Sequence, residues 1–172
     1  LPAWLKMYFI YSTFTQSKTF AQLSVSTGLT PSQLVQNVLV GNGVTVNNIT
    51  YSGANGSIGY FSTGSNATNL GISSGIIIST GVIDGSYTQP LIGSPATDFV
   101  SNSNGTGSDP SLQALIPGSA INDAAVLEFD FTPVSDTIKF RYVFSSEEYP
   151  EWVGSSYNDV FGFFVSGPNP SG

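Results

Sequence analysis

Cysteine and histidine are both missing from this 172-residue sequence, and their absence removes whole classes of chemistry. There can be no thiol nucleophile, no Ser-His-Asp triad and no zinc site built from imidazole or thiolate. A metal would have to be held by oxygen alone, which favours Ca²⁺ or Mg²⁺. No disulfide can form, so cysteine usage says nothing about compartment. Basic residues are almost as scarce: Lys6, Lys18, Lys139 and Arg141 stand against eleven acids, for a net charge of −7. That leaves no basic stripe to displace counterions from nucleic-acid phosphates, and it disfavours docking on anionic lipid. No apolar run approaches the ~18 residues of a membrane-spanning helix.

The sequence is instead rich in Gly, Ser, Thr and Asn, with 12 Phe and 8 Tyr. A surface solvated by hydroxyls and amides rather than by Lys and Glu points to strands and turns. The length suits one domain with a proper core. The expected class is all-β, a jelly-roll-like β-sandwich with one short N-terminal α-helix packed on the sheet. That helix follows Thr30-Pro-Ser-Gln33, which supplies an N-cap, a proline at the first helical position and a capping-box Gln. Leu34, Val35, Val38 and Leu39 recur at helical spacing, and Gly41 supplies a stop.

Residues 1–22 read as a degraded signal peptide or a disordered N-terminus. Met7-Tyr-Phe-Ile-Tyr11 is apolar and Thr19-Phe-Ala21 has small residues at −3 and −1, but Thr15 to Lys18 are polar. The domain itself is expected over residues 23–172, truncated at the Gly167-Pro-Asn-Pro-Ser-Gly172 turn. Val44-Thr-Val46 and Ile49-Thr-Tyr51 read as two short segments broken at Asn47-Asn48, and Ile76-Ile-Ile-Ser79 as a buried strand. Residues 84–111 read as a long surface loop. Val126-Leu-Glu-Phe-Asp-Phe131 and Thr137-Ile-Lys-Phe-Arg-Tyr-Val-Phe144 read as a hairpin around Pro133-Val-Ser-Asp136. Its register puts the aromatics inward and pairs Asp130 with Lys139 and Glu128 with Arg141 outward. Val160-Phe-Gly-Phe-Phe-Val-Ser166 follows as a strand.

Chemistry concentrates between these last two strands, in Ser145-Ser-Glu-Glu-Tyr-Pro-Glu-Trp-Val-Gly-Ser-Ser-Tyr-Asn-Asp159. Four of the eleven acids fall here with no base among them. Crowded like charges cost free energy unless a cation or a basic partner offsets them. Glu147, Glu148, Glu151, Asn158 and Asp159, with Asp123 from before the hairpin, form a candidate all-oxygen Ca²⁺ site, although the spacing is not that of an EF-hand. A solvated acidic loop is the alternative, pinned by Pro150 and by Tyr149 or Trp152 packing on the sheet edge. Glu147 or Glu148 with Asp159 would also suffice as the carboxylate pair of a glycoside hydrolase. Trp152 and Tyr157 flank the acids and are candidate ligand-binding residues, since aromatic faces stack on sugar rings.

Leu29-Thr-Pro-Ser-Gln-Leu-Val-Gln-Asn-Val-Leu39, Asn69-Leu-Gly-Ile-Ser-Ser-Gly75, Ala125-Val-Leu-Glu-Phe-Asp-Phe131 and the Phe144 to Phe164 segment occur in this order. Together they resemble the choice-of-anchor L domain of bacterial surface and secreted proteins, from about Leu23 to the end. The resemblance implies an extracellular or cell-surface location, a module joined to varied anchoring signals, and many members in Bacteroidetes-type bacteria that use type IX secretion. It implies no enzymatic activity. The function expected is a non-catalytic, calcium-stabilised module for adhesion or display, with an extracellular glycan or protein as partner. The alternative is a carbohydrate-binding module or weak glycoside hydrolase using the acidic loop.

Overall fold

A computed structural model describes residues 3–7, 23–64, 70–83, 103–146, 152–157 and 159–168. Among the described residues, seven strands, all paired antiparallel, form two open sheets. The strands are β1 (Ala3–Met7), β2 (Ser24–Ser26), β3 (Val44–Ser52), β4 (Ile58–Ser62), β5 (Ser74–Ile78), β6 (Val126–Pro133) and β7 (Phe164–Ser166). One sheet has the order β3-β6-β1-β7 and the other β2-β4-β5. The sheet-dominated class with a short helix is therefore as expected, while neither sheet closes on itself.

The helix forms where local chemistry places it. Thr30 Oγ1 accepts from the Gln33 main-chain N–H and Gln33 Oε1 accepts from the Thr30 main-chain N–H, at 3.2 and 2.9 Å. This reciprocal cap satisfies two otherwise orphaned donors. The α-helical turn Pro31–Leu34 (α1) continues as a π-helical turn over Val35–Leu39, closed by Val40 N–H on Val35 O. Its apolar face delivers Leu34 and Val35 to the core, both wholly buried.

That core draws on both sheets. Leu34 and Val35 join Ile58, Ile76 and Ile78 from the three-stranded sheet and Leu127, Phe129 and Phe131 from β6. Along β6 the buried residues alternate with half-buried Glu128 and Asp130, the period-2 pattern of a strand with one face inside. Burying a side chain such as Leu127 contributes about 1.5–3 kcal/mol. A second, smaller cluster gathers Leu112, Ala124 and Val126, with Val160, Phe161 and Phe164 against it. Gly59 in β4 lies where β2 crosses closely: an added Cβ would stand 2.6 Å from Ser26 O.

The expected hairpin is not formed. Both edges of β6 are taken, by β3 on one side and β1 on the other, so residues 137–144 cannot pair with it. The register sets Asp130 opposite Asn47 and Trp4, and Glu128 opposite Thr50 and Lys6. Asp130 accepts a hydrogen bond from Asn48 Nδ2 at 2.5 Å, and the Arg141 guanidinium donates to the carbonyl of Gly71. The inward set Leu127, Phe129, Phe131 is as expected; its outward partners are not.

Four further differences follow the same logic. Val44–Ser52 is one strand, and the Asn47-Asn48 break is a bulge within it, with Asn48 at φ +50°. The Ile76 run is an edge strand of its sheet, with Ile76 and Ile78 buried on one face only. Within the expected 84–111 loop, residues 84–102 lie outside the described residues, and Pro110–Leu115 is a short helix (α2). Asp109 caps it by accepting from Ser111 and Leu112 N–H at 2.9 and 3.0 Å. Finally, Ala3–Met7 falls within the stretch read as a signal peptide or disordered N-terminus, yet these five residues are a strand between β6 and β7.

Candidate functional site

The acidic segment is tied off at its base. Ser146 Oγ donates to Asp159 Oδ2, so the chain that leaves at residue 146 returns to the same point at residue 159. The two ends are held by packing as well. Tyr142 stacks on Phe161 with centroids 5.4 Å apart, Phe144 lies 5.6 Å from the same ring, and Phe140 meets Phe163 edge-on at 4.9 Å. Alternate residues before the loop thus touch alternate residues after it, which is what an antiparallel approach requires. Ser146 and Asp159 therefore meet at the base of the loop. Glu147, Glu148, Glu151 and Asn158 lie outside the described residues.

Asp159 is half-buried, and burial pushes its carboxyl above the ordinary value of 3.8, with the Ser146 hydrogen bond pulling the other way. A charge held in that position is under-solvated, and a cation beside it would relieve the penalty. Ser146 is the functional neighbour that sequence reasoning missed; the signal available was its place one residue before the first acid.

At the far end of the loop, Trp152 and Tyr157 meet edge-to-face with centroids 5.2 Å apart. They are 44% and 61% exposed. The chain between them turns through Ser155 N–H on Trp152 O at 2.9 Å, with Gly154 at φ +80°. That is the left-handed third position of a tight turn, which glycine occupies without strain. Ser155 Oγ then accepts from Tyr157 N–H at 3.0 Å.

Asp123 belongs to a different arrangement. It has φ +57°, and its Oδ1 accepts from Ser103 Oγ at 2.6 Å and from Gly105 N–H at 2.9 Å. Its main-chain N–H donates to Thr106 O and its carbonyl accepts from Asn104 Nδ2. The Asn104-Gly-Thr-Gly107 loop is thereby clamped to the start of β6, with Thr106 Oγ1 also on Ala124 O at 2.7 Å. Asp123 and Asp159 each immediately precede a residue of the smaller apolar cluster, Ala124 and Val160. Among the described residues no three acids group as a metal-holding set.

Lys139 and Arg141, read from sequence as salt-bridge partners of β6, line a cavity beside β5 instead. Nothing local in the sequence marks that cavity, because its walls come from residues some 60 positions apart.

Among the described residues, no helix is long and apolar enough to cross a membrane. Neither the curated proteins nor the solved structures provide a match to this chain. The family comparison does: residues 22–172 match the choice-of-anchor L domain, nearly the whole length. This chain belongs to the choice-of-anchor L domain family.

Proposed function

We propose that this chain is a non-catalytic module of a secreted or surface-displayed bacterial protein, that its acidic loop takes Ca²⁺, and that the loop so ordered serves adhesion or display. Family membership supports the surface-associated role. The observation that carries the metal is Asp159: a half-buried carboxylate fixed by Ser146 at the base of a segment whose intervening sequence holds Glu147, Glu148 and Glu151. Ca²⁺ accepts six to eight oxygens in flexible geometry, so carboxylates, the Asn158 amide and loop carbonyls suit it. Asp123 would join through Oδ2, which takes no hydrogen bond among the described residues.

The test is thermal unfolding in EDTA, in millimolar Ca²⁺ and in millimolar Mg²⁺. A ligand that binds only the native state raises the melting temperature. The expected result is a rise with Ca²⁺ that Mg²⁺ does not reproduce; equal melting in all three buffers refutes the metal.

A second reading has its own observation. Trp152 and Tyr157 form an exposed aromatic pair beside the acids, a platform on which a sugar ring can stack. Under this reading Trp152→Ala abolishes glycan binding and leaves folding intact. Retained binding in that variant removes the platform from consideration.

A further inference from the structure

Among the described residues, four strands form the edges of the two sheets, and one of them differs from the rest. β2 and β7 are three residues long, and β3 carries the bulge at Asn47-Asn48. Shortness and bulging both keep a sheet edge from recruiting another strand. β5 has neither device: Ser74-Gly-Ile-Ile-Ile78 holds no charge and no proline, and its pairing with β4 runs without a register shift. Ser79 N–H bonds Ser57 O, and Ser73 O accepts from Thr63 N–H, so odd-numbered residues face β4. Alternation then turns the main-chain groups of Ser74, Ile76 and Ile78 away from β4; Ser74 is exposed, Ile76 is 6% exposed and Ile78 is buried.

On that side lies a cavity of about 440 Å³, with residues 139–143 and Ser145 as its other wall. Clefts that hold ligands span roughly 300–1,000 Å³. The cavity is lined mostly by apolar side chains, among them Val38, Leu39 and Ile76. Against this background Lys139 and Arg141 stand out. They are half of the basic residues in a chain of net charge −7, and both are on this wall.

We propose that this cleft accepts an extended peptide segment of another protein, apolar with interleaved acidic residues, as an added strand on β5. The main-chain groups of Ser74 and Ile76 that face away from β4 start the ladder, the apolar wall holds alternate side chains, and Lys139 with Arg141 pairs the carboxylates. The site rests on β5 and residues 139–145 and uses none of the loop's acids, so the two proposals stand or fall separately.

The test uses the full chain and a fluorescein-labelled Val-Glu-Val-Glu-Val peptide, matched to the five residues of β5, with Val-Lys-Val-Lys-Val as control. Fluorescence anisotropy should show saturable binding of the Glu peptide only. Lys139→Glu should weaken it by about tenfold or more, the loss of one close charge pair. Ser74→Pro removes one outward N–H, leaves the β4 ladder intact and changes an exposed position, so it should fold as judged by circular dichroism and bind more weakly. Equal binding of both peptides, no saturation, or full binding by folded Ser74→Pro would overturn the proposal. So would a dimer in sedimentation that Ser74→Pro dissolves, since a second copy would then be the occupant.

Discussion

Replacing Asp159 by Asn separates two effects of opposite sign at one carboxylate. Extracellular Ca²⁺ modules bind with Kd of about 10⁻⁴–10⁻³ M, so about 10 mM CaCl₂ stands at roughly 10–100 times Kd and stabilises the native state by about 1.4–2.7 kcal/mol. For a domain of this size each kcal/mol moves the melting temperature by about 2–4 °C, giving an expected rise of roughly 3–11 °C in the wild type. Asp159→Asn should lose that rise. In EDTA the variant should melt no lower than the wild type at neutral pH, because a partly desolvated charge is removed while Asn Oδ1 still accepts from Ser146. The pH dependence follows from the raised carboxyl. Between 3.8 and its higher folded value the native state binds more protons than the unfolded chain, so this group's contribution falls as pH rises through that window and is level above it. The difference between wild-type and variant melting temperatures in EDTA should therefore shift in the variant's favour across the same window. Scanning calorimetry at several pH values, with and without Ca²⁺, reads all of this. A variant that keeps the full Ca²⁺ rise would refute the metal assignment, and a large fall in EDTA would refute the desolvation argument.

Three stability predictions test the frame that holds the loop. Ser57 Oγ is buried with no hydrogen-bond partner among the described residues, so Ser57→Ala should leave the denaturation midpoint unchanged or raise it; a fall would mean the hydroxyl is satisfied. Leu127 is wholly buried at the centre of the main cluster, and Leu127→Ala should cost about 2–5 kcal/mol by urea unfolding. Gly59→Ala drives a methyl to within 2.6 Å of Ser26 O, and the displaced β2 should cost about 1–3 kcal/mol, checked as a loss of melting temperature.

What could be read from sequence was local. The capping box at Thr30 and Gln33 is complete within four residues, and it predicts α1 because every bond it makes is between neighbours. The same motif in a shorter form, Asp109 before Pro110, opens α2, but it sits in a stretch so poor in apolar residues that the loop reading prevailed. Strand pairing was not legible for the opposite reason. Glu128 and Asp130 suggest the nearest bases, Lys139 and Arg141, whereas the actual neighbours of Asp130 come from Asn47 and Asn48, some 80 positions upstream, and from β1, further still. Charge alternation fixes which face of β6 is outside, not which strand lies beside it. At the site, the clustering of acids was visible, while the Ser146 bond that joins the loop's ends and the capture of Asp123 by residues 103–107 depend on folded geometry.

The order β3-β6-β1-β7 makes β1 a keystone: β7 has no other neighbour among the described strands, so the segment that returns from the acidic loop is joined to its sheet only through Ala3–Met7. These five residues precede the family-matched span, 22–172. A protease that cut the chain after Ala21, where the sequence offers small residues at the leader positions, would therefore do more than trim an end. It would leave β6 and β7 two strand spacings apart, roughly 9–10 Å, and the sheet could close only by β7 sliding across to β6 in a new register. Discarded leader and sheet strand are thus mutually exclusive fates for the same residues, and the anchorage of the loop's return arm is decided by which one they meet.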